Sequence, residues 1–272
     1  QLDEERKPLK VAGVPPDYFC ADGQLWGNPL YNWKAMKKRK FDWWINRMRA
    51  MGKLYDMVRV DHFIGFANYY AIPYGAPNAR NGKWIKAPGK SLFRRLKKEV
   101  PQITVIAEDL GEVNNRVKRL LKFCGYPGMK VLTFGLDGSV ENPHAPHNFT
   151  ENSVIYTGTH DNETVVGWFE TICTEDRALA RNYLCDYYTP DEEIYKPFIA
   201  LAMSSVAKYC IVPIQDYLGL DNSCRLNKPS TIGCNWRWRA TEKQLSKELQ
   251  RDILAQTMRY GRMNWSNHKE VN

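Results

Sequence analysis

Short runs of β-branched and aliphatic residues alternate along the chain with segments whose apolar residues recur at helical spacing. Five of these runs have the length and composition of buried strands: residues 57–60, 104–107, 130–134, 153–157 and 211–214. The helical patterns include Phe41 to Tyr55 and Val113 to Cys124, and the second of these meets a stop signal at Gly125. Because strands that alternate with helices are typical of parallel β/α units, the pattern predicts an α/β fold.

Three further elements complete this outline. The spacing of apolar residues predicts helices over residues 197–209 and 245–258. An excursion at about residues 66–90 follows the first strand, with a turn at Asn81-Gly82 and an end at Pro88-Gly89. No internal repeat or low-complexity tract interrupts the pattern.

Acidic residues follow three of the predicted strands, at Asp61, Glu108 and Asp161. Side chains alternate along a strand, so Arg59 and Asp61 should point the same way. A guanidinium beside a carboxylate favours the ionised form, which a nucleophile requires. Taken alone, an acid at a strand end is more often a helix N-cap, a surface pair or part of an Asx turn.

The carboxyl ends of parallel strands are where a (β/α)8 barrel keeps its active site. A closed barrel needs eight strands, and only five are predicted in this chain. We therefore expect a partial (β/α)8 TIM barrel that holds strands four to eight, with three further strands upstream of Gln1.

Composition and charge exclude several other classes of protein. The 272 residues are 43% hydrophobic and 25% charged, as in ordinary globular proteins, and no apolar run is long enough for a membrane span. The seven cysteines are scattered and never spaced Cys-x-x-Cys, and residues 1–10 lack the apolar core of a signal peptide. These features predict a cytoplasmic protein with reduced thiols and without a membrane partner.

The net charge of +9 raises the question of a nucleic-acid partner. The basic residues cluster in runs such as Lys37 to Lys40 and Arg94 to Lys98, which favour solvated faces, so no nucleic acid is expected. His144 and His147 could be offered as a metal pair, but Pro146 lies between them and no further ligands are evident. We expect neither a metal nor a cofactor.

Several long strings in this sequence carry a resemblance to a known family. They are Val11-Ala-Gly-Val-Pro-Pro-Asp-Tyr-Phe19, Gly23-Gln-Leu-Trp-Gly-Asn-Pro-Leu-Tyr31 and Asn235-Trp-Arg-Trp-Arg239. They resemble those of the 4-α-glucanotransferases, also called amylomaltases or disproportionating enzymes, within the α-amylase group. The resemblance runs nearly end to end and implies that this chain is the carboxyl-terminal part of a longer enzyme, with the missing amino-terminal part as its partner.

The resemblance also implies roles for the three acids. Asp61 would be the nucleophile, Glu108 the general acid/base, and Asp161 the third carboxylate, which grips substrate hydroxyls and favours a distorted sugar. Arg59 would steady Asp61, and His160 would hydrogen-bond the bound sugar. A retaining reaction independently needs one ionised and one protonated carboxyl, with the pair about 5 Å apart.

Residues 13–33 carry aromatic side chains among prolines and glycines, and the resemblance implies an acceptor-side sugar loop there. Its expected contacts are Asp17, Tyr18, Phe19 and Trp26, whereas Tyr31 and Trp33 are expected to form a small apolar core. Such a loop would also exclude water from the intermediate. Weaker candidates for substrate contact are Asp216, Asn235 and Trp236.

The predicted activity is transfer of α-1,4-glucan segments between maltooligosaccharides or starch-like glucans through a covalent glycosyl-enzyme. Two alternatives stay open at this point. One is a glucan-hydrolysing relative of α-amylase, and the other is an isolated fragment that binds glucan without activity.

Overall fold

The structure is a computed structural model, and it describes residues 1–16, 20–111 and 113–264. Contacts within the chain divide it into two compact units, Gln1–Gly128 and Met129–Asn272. Each unit combines strands and helices, and each has an apolar core of its own.

The first unit contains both an antiparallel and a parallel arrangement of strands. Its strands are β1 (Lys10–Val14), β2 (Gln24–Pro29), β3 (Met57–Val60), β4 (Asn68–Pro73), β5 (Lys83–Lys86) and β6 (Thr104–Ala107), and β7 (Gly128–Val131) begins at its last residue. Its helices are α1 (Trp33–Lys38), α2 (Asp42–Met51), α3 (Gly89–Glu99) and α4 (Asn115–Cys124). The bounds of β3 and β6 are those that the sequence predicts.

Strands β3 and β6 of the parallel sheet lead directly into Asp61 and Glu108. They pair in register from Met57 opposite Thr104 to Val60 opposite Ala107, and Ala107 in turn pairs with Gly128 of β7. The side chains on one face of these strands join a core that α2, α3 and α4 cover, with Phe63 and Leu92 fully buried in it. The strand ends are therefore held on a rigid base.

The antiparallel sheet of this unit has the order β2-β1-β4-β5 within the described residues. The predicted excursion is its hairpin, in which Tyr70 of β4 faces Trp84 of β5. Residues 13–33, which the sequence suggested as a loop, instead contain the end of β1, all of β2 and the start of α1. This prediction was wrong about local structure because Gly and Pro concealed the pairing of Gly13 with Leu25.

Helix α3 was not predicted, because its basic residues obscured its apolar stripe. Leu92, Phe93 and Leu96 recur at helical spacing and are almost fully buried, while Lys97 and Lys98 lie on the outer face. Helix α4 ends as predicted at Gly125, whose φ of 63° is left-handed. The basic run at residues 94–98 is thus the polar face of a core helix.

The second unit has two strands in addition to most of β7, and they are β8 (Ser153–Tyr156) and β9 (Tyr209–Ile211). Its helices are α5 (Val165–Thr171), α6 (Thr174–Leu184), α7 (Tyr195–Ser204), α8 (Ile214–Tyr217) and α9 (Lys247–Arg259). β8 pairs in parallel with β9, from Val154 opposite Tyr209 to Tyr156 opposite Ile211. The core beneath them contains Ile155, Phe169 and Phe198, all of which are inaccessible to solvent.

Two predicted strands are displaced along the sequence. The run at residues 130–134 forms β7 two residues earlier, and its end becomes a short 3-10 helix at Leu132–Phe134. The run at residues 211–214 supplies only the last residue of β9, because Pro213 lacks an N–H for strand pairing and caps α8. The helix predicted over residues 197–209 is α7, which begins and ends earlier.

The parallel strands of the described residues follow one another in the order β3-β6-β7-β8-β9. This is the order of consecutive units in a (β/α)8 barrel, so the predicted α/β class and partial barrel are confirmed. Among the helices in the described residues, none combines the length and hydropathy that crossing a bilayer requires.

Candidate active site

Arg59 and Asp61 are in contact where β3 ends. Nη1 of Arg59 lies 2.6 Å from Oδ1 of Asp61. The contact follows from strand alternation, since the two residues flank Val60 and so share a face. The Arg59 side chain is 27% exposed, whereas that of Asp61 is 76% exposed. The guanidinium therefore orients a carboxylate that stays open to an incoming ligand.

Glu108 stands just beyond the end of β6, and two backbone amides hold its carboxylate. Oε2 accepts a hydrogen bond from the His62 N–H at 2.6 Å, and Oε1 accepts one from the Leu110 N–H at 3.0 Å. The residue is only 8% exposed. Its side chain is therefore fixed in position before any substrate arrives.

The pKa of Glu108 is raised above its ordinary value, mainly because burial disfavours the charged form. The amide of Leu110 lowers this pKa, the charge of Asp61 raises it, and Arg59 and the His62 amide lower it. In this unit burial is the larger cause, and like charge from Asp61 is a smaller one.

The register of the parallel strands places Asp61 and Glu108 side by side. The pairing of Val60 with Ala107 is the last between β3 and β6, and the acids are the next residue after each strand. Two backbone bonds continue the pairing, since Glu108 donates to Val60 O and Phe63 donates to Glu108 O. Neighbouring strands lie about 4.8 Å apart, which is close to the carboxyl separation of a retaining pair.

The adjacent acids Glu108 and Asp109 differ in their surroundings. A Cβ atom on Gly128 would lie 2.5 Å from Oδ2 of Asp109, so the Asp109 carboxylate packs on the backbone of β7. Glu108 instead faces the amide of His62 beyond β3. Only Glu108 of the two therefore shares a strand end with Asp61.

His62 connects the strand ends with β2. It adopts a left-handed conformation with φ 44° and ψ 54°, and its N–H donates to Glu108. Its ring meets the Trp26 ring edge to face, with centroids 4.7 Å apart. Burial lowers the pKa of the His62 imidazole, and the charge of Asp61 opposes that shift. Trp26, predicted as a sugar contact, thus lies beside the residue that follows Asp61.

In the second unit, Asp161 follows β8 in a network of its own. Its Oδ2 lies 3.2 Å from Nε2 of His160, and its Oδ1 accepts a hydrogen bond from the side chain of Asn227 at 2.7 Å. Arg225 donates to the Asp161 carbonyl at 2.9 Å. The structure therefore brings the predicted pair His160 and Asp161 together and fixes the carboxylate from two sides.

The ring of Trp236 lies over His160, with centroids 5.4 Å apart and planes tilted by 36°. Trp236 is 54% exposed and has a φ of 65°, a conformation that is uncommon for a bulky residue. Asn235, by contrast, uses its side chain within the loop, since it accepts from the Lys228 N–H and donates to the Thr231 carbonyl. Trp236 can therefore present a ring to a ligand, while Asn235 holds the loop that carries it.

Asp216 does not lie where a sugar could reach it, which corrects its prediction as a substrate contact. It is 1% exposed, and its carboxylate accepts hydrogen bonds from the Thr157 hydroxyl at 2.5 Å and the Val165 N–H at 2.8 Å. Burial raises its pKa, and both hydrogen bonds lower it. Asp216 thus ties the end of β8 to the start of α5.

Other predicted positions are less informative. Asp17, Tyr18 and Phe19 lie outside the described residues. Tyr31 and Trp33 lie in an aromatic group with ring centroids 5.3 Å apart, and Trp33 packs against the core as expected while Tyr31 is 37% exposed. Among residues 1–16, 20–111 and 113–264, no cluster of three His, Cys, Asp or Glu side chains could share a metal ion.

Three residues near these acids were not predicted as site members, namely His62, Arg225 and Asn227. His62 sits within the motif that contains Asp61, so its position beside that acid was a usable signal. Arg225 and Asn227 reach Asp161 from more than sixty residues away in the sequence. No local pattern marks them, because only the fold brings them close.

Comparisons with known proteins identify relatives of this chain. A family model described as 4-alpha-glucanotransferase matches residues 1–245. The 4-alpha-glucanotransferase of Clostridium butyricum is 46% identical over 261 residues, which cover 95% of this chain and 53% of that protein. The chloroplastic/amyloplastic 4-alpha-glucanotransferase of Arabidopsis thaliana is 48% identical over 238 residues, covering 88% of this chain and 41% of that protein.

A solved structure is similar in fold as well as in sequence. The amylomaltase of Streptococcus agalactiae, in complex with acarbose, superposes with a TM-score of 0.92 at 41% identity, covering 97% of this chain and 53% of that one. The chain spans about half the length of the curated relatives it matches. Because its sequence matches the family model and its fold matches a solved amylomaltase, this chain belongs to the 4-α-glucanotransferase family.

Proposed function

We propose that this chain carries the reacting carboxylates of an enzyme that transfers α-1,4-glucan segments between maltooligosaccharides or starch-like glucans. The observation that carries the proposal is the pairing of the two strand ends. It sets an exposed acid in contact with Arg59 beside a buried acid whose pKa is raised. A retaining glycosyl transfer needs one carboxylate of each kind.

Asp61 is the proposed nucleophile. In the first half of the reaction its carboxylate oxygen attacks the anomeric carbon of the donor, and the bond from that carbon to the leaving glucan oxygen breaks. The result is a glycosyl-enzyme ester. Contact with Arg59 supports this role because it fixes the direction of an otherwise exposed side chain.

Glu108 is the proposed general acid/base. It gives a proton to the leaving oxygen in the first half. In the second half it takes a proton from the acceptor hydroxyl, whose oxygen attacks the anomeric carbon while the ester bond to Asp61 breaks and releases that carboxylate. Burial and the raised pKa of Glu108 support this role, since they favour the protonated form at the start. The backbone amides keep the carboxyl in place between the two steps.

Asp161 is the proposed third carboxylate, and His160 is proposed to hydrogen-bond sugar hydroxyls together with it. The network of Asn227 and Arg225 supports a fixed position for Asp161. The exposed rings of Trp26 and Trp236 are suited to stacking on the apolar faces of sugars. We extend the binding of acarbose from the S. agalactiae amylomaltase to this chain as part of the same proposal.

The proposal concerns the complete enzyme, because the matched relatives are about twice as long as this chain. We expect activity to need the part of the enzyme that corresponds to the rest of those relatives. The proposed location is the cytoplasm. The alternative location is a plastid, because the Arabidopsis relative is named as chloroplastic/amyloplastic.

Incubation of the complete enzyme with maltotriose tests this function. A transferase makes longer and shorter glucans at constant reducing power, because each bond broken is replaced by a bond formed. A hydrolase of the α-amylase kind raises the reducing power as it acts. Product lengths by mass spectrometry with a reducing-end assay separate these outcomes, and a steady rise in reducing ends would overturn the proposal.

A further inference from the structure

A basic cavity lies in the first unit, and none of the proposed site residues lines it. Its volume is about 670 Å³, within the range of small-molecule sites. The basic side chains that line it are Lys34, Lys37, Lys86, Lys90, Arg116 and Arg119. Within the described residues no acidic side chain lines it. The cavity therefore combines a concave shape with a charge of one sign.

The charge of these cations is not balanced by acids within the described residues. None of the six forms an ion pair with an acid in the described part of the chain. Lys90 lies over the ring of Phe123, a cation–π contact that supplies no negative charge to balance its own. Arg116 donates to Oδ1 of Asn68, so its guanidinium is oriented by a neutral partner. An anion from outside the described chain would relieve this repulsion.

Two helices begin at the cavity, and each has a cation in its first turn, where an acidic residue would be favoured. Lys90 is the second residue of α3, Arg116 is the second residue of α4, and neither helix has an acid in its first turn. The amino end of a helix carries partial positive charge, so a cation at this position is unfavourable on its own. A cation at the start of a helix is expected where a bound anion offsets the repulsion between the cation and the helix dipole.

The start of α3 is also pressed closely against its neighbours. A Cβ atom on Gly89 would lie 2.3 Å from the carbonyl oxygen of Phe66, so this first helical residue has no room for a side chain. Gly89 and Ser91 line the cavity together with the rings of Trp33 and Phe66. The wall thus offers the helix start, cationic groups and aromatic surface within one concave site.

We infer that this cavity binds an organic phosphate that carries at least two negative charges and a ring. Phosphate oxygens match the forked guanidinium donors of Arg116 and Arg119, which lie on one face of α4. The multiple cations favour more than one charge on the ligand, and the aromatic wall together with the volume favours a ring. This inference does not depend on the proposed transferase activity.

Calorimetric titration of the complete enzyme tests the inference with three probes: inorganic pyrophosphate, adenosine diphosphate and glucose 1,6-bisphosphate. The titrations use about 0.1 M NaCl, where distant surface charges are screened. We expect saturable binding of one ring-bearing probe that is at least about tenfold tighter than that of pyrophosphate, since the ring adds apolar contact. The tighter of the two ring-bearing probes identifies a nucleotide or a sugar phosphate as the source.

Matched charge variants locate the binding. Arg116→Gln with Arg119→Gln should weaken the tighter probe at least about tenfold, because charge-assisted hydrogen bonds are lost. Lys118→Gln with Lys122→Gln removes the same charge from α4 outside the cavity and should change affinity less than about twofold. Lys34→Gln with Lys37→Gln on α1 should repeat the first result, which protects the test if loss of the Asn68 contact impairs folding.

Three results would overturn the inference. One is the absence of saturable heat with every probe. Another is equal weakening by the lining variants and by the Lys118 and Lys122 control. The third is pyrophosphate binding as tightly as both ring-bearing probes, which would leave no role for the aromatic wall.

Discussion

The backbone N–H of His62 donates to Oε2 of Glu108 at 2.6 Å, so the residue that follows Asp61 holds the carboxyl of the neighbouring strand. The left-handed backbone of His62 then turns the chain away from the direction of β3. The two acids are thereby coupled in position as well as in charge. A displacement of one strand end would move both.

Asp61→Asn in the complete enzyme should lower transfer activity by about a thousandfold or more, because the amide is a poor nucleophile of the same shape. Folding should be unchanged, since the Asp61 side chain is mostly exposed and an exposed ion pair such as the one with Arg59 contributes little to stability. The matched control is Asp56→Asn, an exposed acid just before the start of β3. Turnover of maltotriose measures both, and retention of activity within about tenfold of the parent would remove Asp61 from the role of nucleophile.

Glu108→Gln should slow transfer from natural glucans by about a hundredfold or more, because their leaving oxygen needs a proton. The first half of the reaction should be largely spared with a glucosyl fluoride donor, whose leaving group needs none. Equal losses on both donors would argue against the acid/base role. Both oxygens of Glu108 accept backbone N–H bonds. In Glu108→Gln the side-chain NH2 group replaces one of these oxygens and faces a backbone N–H, so the fold should be destabilised by about 1–3 kcal/mol.

The alkaline limb of the pH profile should follow the raised pKa of Glu108. The first half of the reaction uses the protonated carboxyl, so kcat/KM should fall as the pH rises through that pKa. The positive charge of Arg59 lowers this pKa, so Arg59→Gln should move the limb to higher pH. Profiles of kcat/KM for parent and variant measure the shift. A limb that stays in place or moves to lower pH would contradict the assignment.

Trp26→Ala should weaken acceptor use and increase the share of hydrolysis, because a stacking ring beside His62 contributes about 1 kcal/mol and helps to exclude water. Trp84→Ala is the matched control, since it removes an exposed ring from another strand of the same antiparallel sheet. The measured quantity is the ratio of new reducing ends to transfer products at several acceptor concentrations. Identical ratios in the two variants would leave Trp26 with a packing role alone.

Asp216→Ala should destabilise the fold by about 1–3 kcal/mol, because the buried Val165 N–H and Thr157 hydroxyl would lose their acceptor. Asp216→Asn keeps the shape and should cost less. Burial raises the folded pKa of Asp216, so its contribution to stability is full below the unfolded pKa and is lost as the pH rises through the folded pKa. The amide of Asp216→Asn does not titrate, so the stability of this variant should fall less than that of the parent as the pH rises over this range. Denaturant unfolding at several pH values measures this, and a raised KM with unchanged stability would restore the sugar-contact prediction.

The sequence by itself determined the features that depend on neighbours along the chain. Strand alternation places Arg59 and Asp61 on one face, and the apolar runs at residues 57–60 and 104–107 define β3 and β6 with their observed bounds. Hydrophobic periodicity and Gly125 likewise define the body and end of α4. These signals are local, because they arise from backbone geometry and from the need to bury one face.

The tertiary structure alone decided which polar groups meet. Asp216 looked like other acids that follow a strand, yet it is buried because Thr157 and Val165 satisfy its oxygens. Asn227 and Arg225 reach Asp161, and the His62 amide reaches Glu108, across separations that no sequence pattern records. The physical reason is that burial and hydrogen-bond satisfaction are set by what packs around a residue, and packing is a property of the whole fold.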